Sequence, residues 1–196
     1  MAHRSKQRVS YVRAFANTSH RAAAVFLTSG ATSIAACSDK APPPPGAERA
    51  LIALDAFEPL DPSEDPLPSH RPAEVDCSAL TGWFVEDDHL EMDTARCNYV
   101  SLAQPALVGA AAGARVTGTL SHFDLTAAGA AEAHVAFFLD GVPLWERTIA
   151  VPGIARVYQL DVPLEREFET GAPVVVHLHN HGQNTWQLFG LDVTSE

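Results

Sequence analysis

From about residue 75 onward the apolar residues fall at every second position, in runs bounded by turn residues. Ala133, Val135, Phe137 and Leu139 share one face of an extended chain, Asp140-Gly141 is a two-residue hairpin signal, and Val142 to Val151 reads as the returning strand. Tyr158, Leu160, Val162 and Leu164 alternate in the same way. Further strands are predicted over Gly82 to Glu86, His89 to Asp93, Tyr99 to Leu107, Arg115 to Phe123, Val174 to His181 and Thr185 to Val193. Past residue 75 no apolar period of 3.6 is sustained beyond three turns. The Ala-rich stretches near Ala110 and Ala127 to Ala133 contain glycines and read as loops. About eight or nine short strands without intervening helices predict an all-β fold, an antiparallel β-sandwich.

The chain ahead of these strands has a different character. Residues 1 to 36 carry Arg4, Lys6, Arg8, Arg13 and Arg21 with no acidic residue, and Ala22 to Ala36 is apolar and small. A basic stretch followed by a short apolar run is the pattern of an export signal, and the run is too short for a permanent membrane span. Ile34-Ala35-Ala36-Cys37 at its end resembles the lipobox of bacterial lipoproteins. That resemblance implies cleavage before Cys37, diacylation of the cysteine and a lipid-anchored protein of the bacterial cell envelope. An ordinary signal peptide with an unrelated cysteine is the alternative. Lipidation of Cys37 leaves Cys77 and Cys97 as an even pair, expected as a disulfide in an oxidising compartment and contributing roughly 3 kcal/mol. A metal-binding thiol pair finds no second cysteine pair to complete it.

Residues 38 to 74 hold nine of the fourteen prolines and eight acidic residues. Proline favours extended chain and like charge resists collapse, so 37 to 74 is expected as a semi-rigid tether and 75 to 196 as the folded domain. The apolar island Ala50 to Phe57 is the one part of the tether suited to dock on that domain. Overall the formal charge is −11; residues 37 to 196, with eight basic against 24 acidic residues, hold −16. A body of that sign repels phosphate, which excludes nucleic acid as a partner.

The order of elements resembles the galactose-binding-like jelly rolls that serve as carbohydrate-binding modules. The residues that carry the likeness are Gly82-Trp83-Phe84, the hairpin Phe137-Phe138-Leu139-Asp140-Gly141, and the closing run Asn184 to Val193. The resemblance implies a non-catalytic module, often with a structural calcium, and a carbohydrate ligand.

The densest chemistry lies in Val176-His177-Leu178-His179-Asn180-His181-Gly182-Gln183-Asn184. On a strand His177 and His179 share a face about 7 Å apart and reach one ion, as in H-x-H zinc pairs. His181 would lie about 13 Å from His177 on a straight strand and joins only if the chain bends; His122 or His134 from a neighbouring strand is the other source of a third ligand. Ordinary hydrogen-bonded polar residues on a half-exposed face are the plain alternative. Glu86, Asp88 and Asp93, grouped with Asp87 and Glu91, offer the hard oxygens that suit calcium or simply a solvated turn. Of Trp83, Trp145 and Trp186, the last has amides around it, and Trp186 with Asn180, Gln183, Asn184 and Gln187 forms the expected sugar-binding surface. Ser121 and His122 point to opposite faces of a strand, and no nucleophile elbow, phosphate loop or metalloprotease helix motif occurs. The sequence thus reads as a non-catalytic envelope lipoprotein presenting a binding module for carbohydrate. A zinc- or copper-binding protein, or metal-dependent enzyme, built on His177, His179 and His181 is the second reading. A structural partner in an envelope assembly is the third.

Overall fold

The computed structural model describes residues 44, 46–180 and 182–194. Two short strands come first, β1 (Glu48–Ala50) and β2 (Glu58–Pro59), each followed by one turn of 3-10 helix, Leu54–Ala56 and Pro62–Glu64. Then come β3 (Trp83–Glu86), β4 (His89–Asp93), β5 (Tyr99–Pro105), β6 (Arg115–His122), β7 (Ala131–Leu139), β8 (Val142–Val151), β9 (Arg156–Pro163), β10 (Pro173–Asn180) and β11 (Thr185–Thr194). These nine follow the predicted strands closely, because period-two patterning and turn residues mark both the strands and their ends.

Two antiparallel sheets form a sandwich. The first runs β3-β4-β11-β6-β9 and the second β2-β5-β10-β7-β8. Strands β4 to β11 are divided between the sheets as β4-β11-β6-β9 and β5-β10-β7-β8, the jelly-roll order of two interlocked Greek keys. Strand β4 covers β11 over Thr185 to Leu188, and β1 takes the same edge of β11 farther on, over Asp192 to Thr194. Inner faces meet in one core that includes Leu90, Met92, Leu120, Val135, Phe137, Val176, Leu178, Trp186 and Leu188.

Strand β11 changes parity midway. Trp186 and Leu188 point into the core, and then Leu191 and Val193 do. A β-bulge between Leu188 and Gly190 inserts Phe189 as the extra residue, which keeps both halves of the strand apolar on the same side. Gly190 sits at φ 143°, a conformation few other residues adopt. Opposite it, a Cβ on Gly118 would come within 2.6 Å of the Gly190 carbonyl oxygen, so β6 needs a glycine where the bulged backbone approaches.

The tether is shorter than the sequence predicts. From Glu48 the chain belongs to the domain: Leu51, Ile52 and Phe57 are buried in the main core, and Leu60 and Leu67 pack with Ala136, Phe138 and Val175 on the outer face of the second sheet. The domain boundary expected at residue 75 therefore moves to about residue 48. Prolines 59, 62, 66, 68 and 72 limit this stretch to the two-residue β2 and one 3-10 turn. They also reduce the entropy lost when it is laid down, and its few apolar residues suffice to hold it. Asp65 fastens it further, accepting hydrogen bonds from the Tyr99 hydroxyl at 2.5 Å, the Leu67 N–H at 3.0 Å and the Arg71 guanidinium at 3.1 Å. Cysteines 77 and 97 are joined as a disulfide. A side chain on Gly82 would collide with the bridge, which explains the glycine at that turn. The leader and Cys37 lie outside the described residues.

Leu51 separates the two views of the early chain. It is fully buried, so Leu51→Ala is expected to destabilise the domain by about 2–5 kcal/mol in urea unfolding. A free tether would give no change.

Candidate functional site

Two faces of the sandwich carry grouped polar chemistry. The first is the outer face of the second sheet, under the segment that leads out of β2. Alternation along β10 puts Val174, Val176 and Leu178 into the core and Val175, His177 and His179 on the other side. His177 lies in register between Ala136 and Ser101, and His179 between His134 and Tyr99. The covering segment buries His177 completely and adds His70 from above. One ring nitrogen each of His70, His134 and His177 lies within 4.8 Å of the other two. His70 Nδ1 and His177 Nε2 face each other at 3.4 Å. His134 Nε2 donates to the Glu146 carboxylate at 2.6 Å, and its Nδ1, like that of His177, is buried without a hydrogen-bond partner. The rings of His179 and His70 are 5.8 Å apart.

Burial dominates the electrostatics here. It lowers His177 to about 3, with repulsion from His134 and His70 adding, and burial likewise lowers His70. Both imidazoles are neutral at physiological pH, with nitrogen lone pairs free of protons. Burial pulls Asp65 upward, but hydrogen bonds from Tyr99, Leu67 and Arg71 outweigh it and hold the carboxyl below its ordinary value. The Tyr99 hydroxyl is raised by burial and by Asp65.

The second face is the outer side of the first sheet. Phe189, turned out by the bulge, is 41% exposed over a groove of about 410 Å³ lined by Thr117, Thr119, Gln159, Asp161 and Asp192. Hydroxyls and amides form a row beside it. Thr119 donates to Gln159 at 3.0 Å, Ser121 donates to the Gln187 carbonyl at 3.2 Å, and the Gln187 amide donates to His89 at 3.1 Å. The His89 ring lies 5.3 Å from that of Phe189, and Phe123 is exposed at the end of β6. Desolvation raises the Glu91 carboxyl and the charge of Glu86 adds to it, while the hydrogen bond with His89 opposes. Burial also raises Asp192, with Glu48 contributing.

Several expected site residues are placed elsewhere. Trp186 is 0% exposed, its indole tilted against His122 with ring centres 4.6 Å apart in the core, so it offers no platform to a ligand. The even positions of β11 before the bulge face inward, which the amides around Trp186 obscured. Asn184 is a turn residue: its amide donates to the Asp124 carbonyl and its side-chain oxygen accepts from the Thr185 N–H. Gln183 makes a backbone bridge with Thr126. Of the expected sugar contacts, Gln187 alone among the described side chains stands on the Phe189 face. The side chain of Asn180 and all of His181 lie outside the described residues. His122 is committed to Phe123 O at 2.7 Å and Tyr158 at 3.3 Å on the first sheet, so His134 is the neighbour that joins His177. Glu86, Asp88 and Asp93 do not converge. Glu86 gathers with His89 and Glu91 instead, Asp88 projects into solvent, and Asp93 binds the Ala95 N–H and Arg96. Trp145 packs on Phe137 and Tyr158, and Trp83 against the main core.

The sequence reading missed His70 and Phe189. His70 stands 107 residues from His177, in a stretch with no periodic pattern. Phe189 carried a signal, the switch from apolar positions 186 and 188 to 191 and 193.

The buried histidine makes a pH prediction. A folded-state value near 3 against an ordinary 6.5 means the unfolded chain takes up the proton first as pH falls. The stability contributed is whole above about pH 6.5 and is lost between there and about pH 3, at up to about 1.4 kcal/mol per pH unit. Urea unfolding at pH 7, 6, 5 and 4 should show this slope, and His177→Gln should flatten it. An unchanged slope in the variant would assign the acid sensitivity to other groups.

Neither a protein-family description nor a curated protein matches the sequence. Among solved structures, the chain is similar to TmCBM61 in complex with beta-1,4-galactotriose, with a TM-score of 0.35 and 12% identity over 55% of this chain and 70% of that one. It is also similar to a CBM4 structure, with a TM-score of 0.36 and 11% identity over 63% of this chain and 77% of that one. A third similar structure, PfGH50B, gives a TM-score of 0.33 and 9% identity over 58% of this chain and 21% of that one.

Proposed function

We propose that the protein is an exported, non-catalytic binding protein of the bacterial cell envelope. In this reading it is anchored through lipid on Cys37, and its jelly roll takes carbohydrate on the outer face of the first sheet. One observation carries the ligand reading: a bulge pushes the Phe189 ring out of the strand, 41% exposed, beside a row of hydroxyl and amide groups. A pyranose has an apolar C–H face and a polar rim. An aromatic ring packs against the first, and Thr119, Gln159, Ser121 and Gln187 hydrogen-bond the second. Asp161 and Asp192 add carboxylate acceptors for sugar hydroxyls along the groove.

The larger cleft, about 600 Å³ between β8 and the turn after β9, is lined mainly by Val142, Pro143, Leu144, Leu164 and Phe168. Its polar lining is Glu165 and the Arg166–Asp140 ion pair, not a row of hydroxyls and amides. Anchoring is supported by the sequence of the leader: one acyl chain binds a membrane marginally, and several hold it firmly.

Affinity gel electrophoresis against a panel of soluble polysaccharides tests the ligand reading. At least one polysaccharide is expected to retard the protein, and Phe189→Ala should weaken that binding about tenfold or more, equivalent to about 1.4 kcal/mol. Because the ring is half out of the protein, its loss should leave the thermal melt nearly unchanged. Retardation by no polysaccharide, or full retention of binding by a folded Phe189→Ala, would overturn it. For the anchor, Cys37→Ser should release the protein from membranes or leave it as an uncleaved precursor. Unaltered mass and membrane fractionation would refute lipidation at Cys37.

A further inference from the structure

On the opposite broad face of the sandwich, three imidazoles from three distant parts of the chain converge under the covering segment. Their arrangement departs from ordinary buried histidines in three ways. The first is distance: His70 Nδ1 and His177 Nε2 are 3.4 Å apart. That is the edge, about 3.3–3.4 Å, of a tetrahedron of nitrogens bonded at about 2.0–2.1 Å to a zinc ion. A nitrogen of His134 lies within 4.8 Å of both, so at most about 1.5 Å of approach closes the remaining edges.

The second is the tautomer. His134 donates its Nε2–H to the Glu146 carboxylate at 2.6 Å, which leaves the lone pair on Nδ1, and that atom is buried without a hydrogen-bond partner. A carboxylate behind a histidine is the support that metal-binding imidazoles usually have: it fixes the ring and raises its basicity. The third is the unmet polarity. The Nδ1 lone pair of His134 meets no donor among the described residues, and a buried nitrogen left unpaired costs about 1–3 kcal/mol. A cation shared among neutral imidazoles offsets that cost, whereas a purely apolar pocket would have no use for three of them.

We propose that His70, His134 and His177 are the protein ligands of a single divalent cation of the zinc class, with Glu146 orienting His134. The donor set is nitrogen alone. Among the described residues no thiolate is available, since Cys77 and Cys97 are joined to each other, which disfavours copper(I). Carboxylate oxygens do not dominate the group, which disfavours calcium and magnesium. His179, next along the strand with its ring 5.8 Å from that of His70, is the side chain from which a fourth ligand would come. Two ligands belong to adjacent strands of the second sheet and the third to the covering segment. The ion therefore joins that segment to the sandwich, beside the clasp that Asp65 makes with Tyr99 and Arg71.

This site is independent of the carbohydrate face and is tested separately. The untagged chain is titrated with zinc against a chromophoric chelator, and with cobalt(II), whose visible absorption reports coordination number and ligand type. The expected result is one equivalent of tightly bound zinc and a four- or five-coordinate cobalt spectrum without thiolate charge-transfer bands. His177→Ala removes a fully buried ring and is checked for folding. His70→Ala is the second variant, because His70 lies on the covering segment and leaves both sheets intact. Loss of one ligand of three should weaken zinc about 100-fold or more, and Glu146→Gln about 10- to 100-fold. Zinc should also protect the segment around residue 70 from proteolysis in the wild-type chain and not in His70→Ala. Failure of the wild-type chain to bind one equivalent, or zinc affinity unchanged in folded His70→Ala, would overturn the assignment.

Discussion

From Val174 to Leu178, strand β10 has no side that faces water. Val174, Val176 and Leu178 enter the main core, and Val175, His177 and His179 lie toward the outer face, where Leu60, Leu67, Ala136 and Phe138 close over Val175. A central strand flanked by β5 and β7 cannot expose an apolar outer side without cost, so something must cover it. The chain ahead of β3 supplies the cover, and the chemistry of the whole face depends on it. The cover places Asp65 where Tyr99 and Arg71 can hold it, brings His70 above His177, and strips water from an imidazole that would otherwise titrate near neutrality.

The sandwich was legible because its signals are local. Alternation over 133 to 139, the Asp140-Gly141 turn and the valine run of 174 to 176 each occupy a few consecutive residues, and sheet pairing adds little that contradicts them. The cover was legible only in the apolar island of 50 to 57, which was expected to dock; the rest was not, because proline density and acidic charge describe a chain that lacks regular structure. They do not say whether its sparse apolar residues find a surface. Leu51, Phe57 and Leu60 were enough. The histidine group was half legible: spacing paired His177 with His179 and offered His134, but contact between residues 70 and 177 depends on tertiary closure alone. Trp186 was misplaced by composition, since amides nearby in sequence suggested a wet surface while strand parity turned the indole inward.

The two faces divide labour by their degree of burial. Around Phe189 the groups are polar, uncovered and bonded to one another through short side-chain links, as in a surface that exchanges protein contacts for ligand contacts at low cost. Around His177 they are enclosed and fixed by β-pairing on both sides, which suits an ion that demands set distances. Because the faces belong to different sheets with the common core between them, substitutions on one should add to those on the other without coupling.

The pairing of Glu48 with Thr194 through β1 and β11 has an architectural consequence. The described chain enters and leaves the jelly roll side by side, on neighbouring antiparallel strands of the first sheet. A unit so wired behaves as a cassette: it can be spliced into a loop of another protein, or have its two ends joined and be reopened elsewhere, with only a short bridge. The junction borders the groove beneath Phe189, which Glu48 and Asp192 help to line, so whatever is attached there sits beside what that face holds.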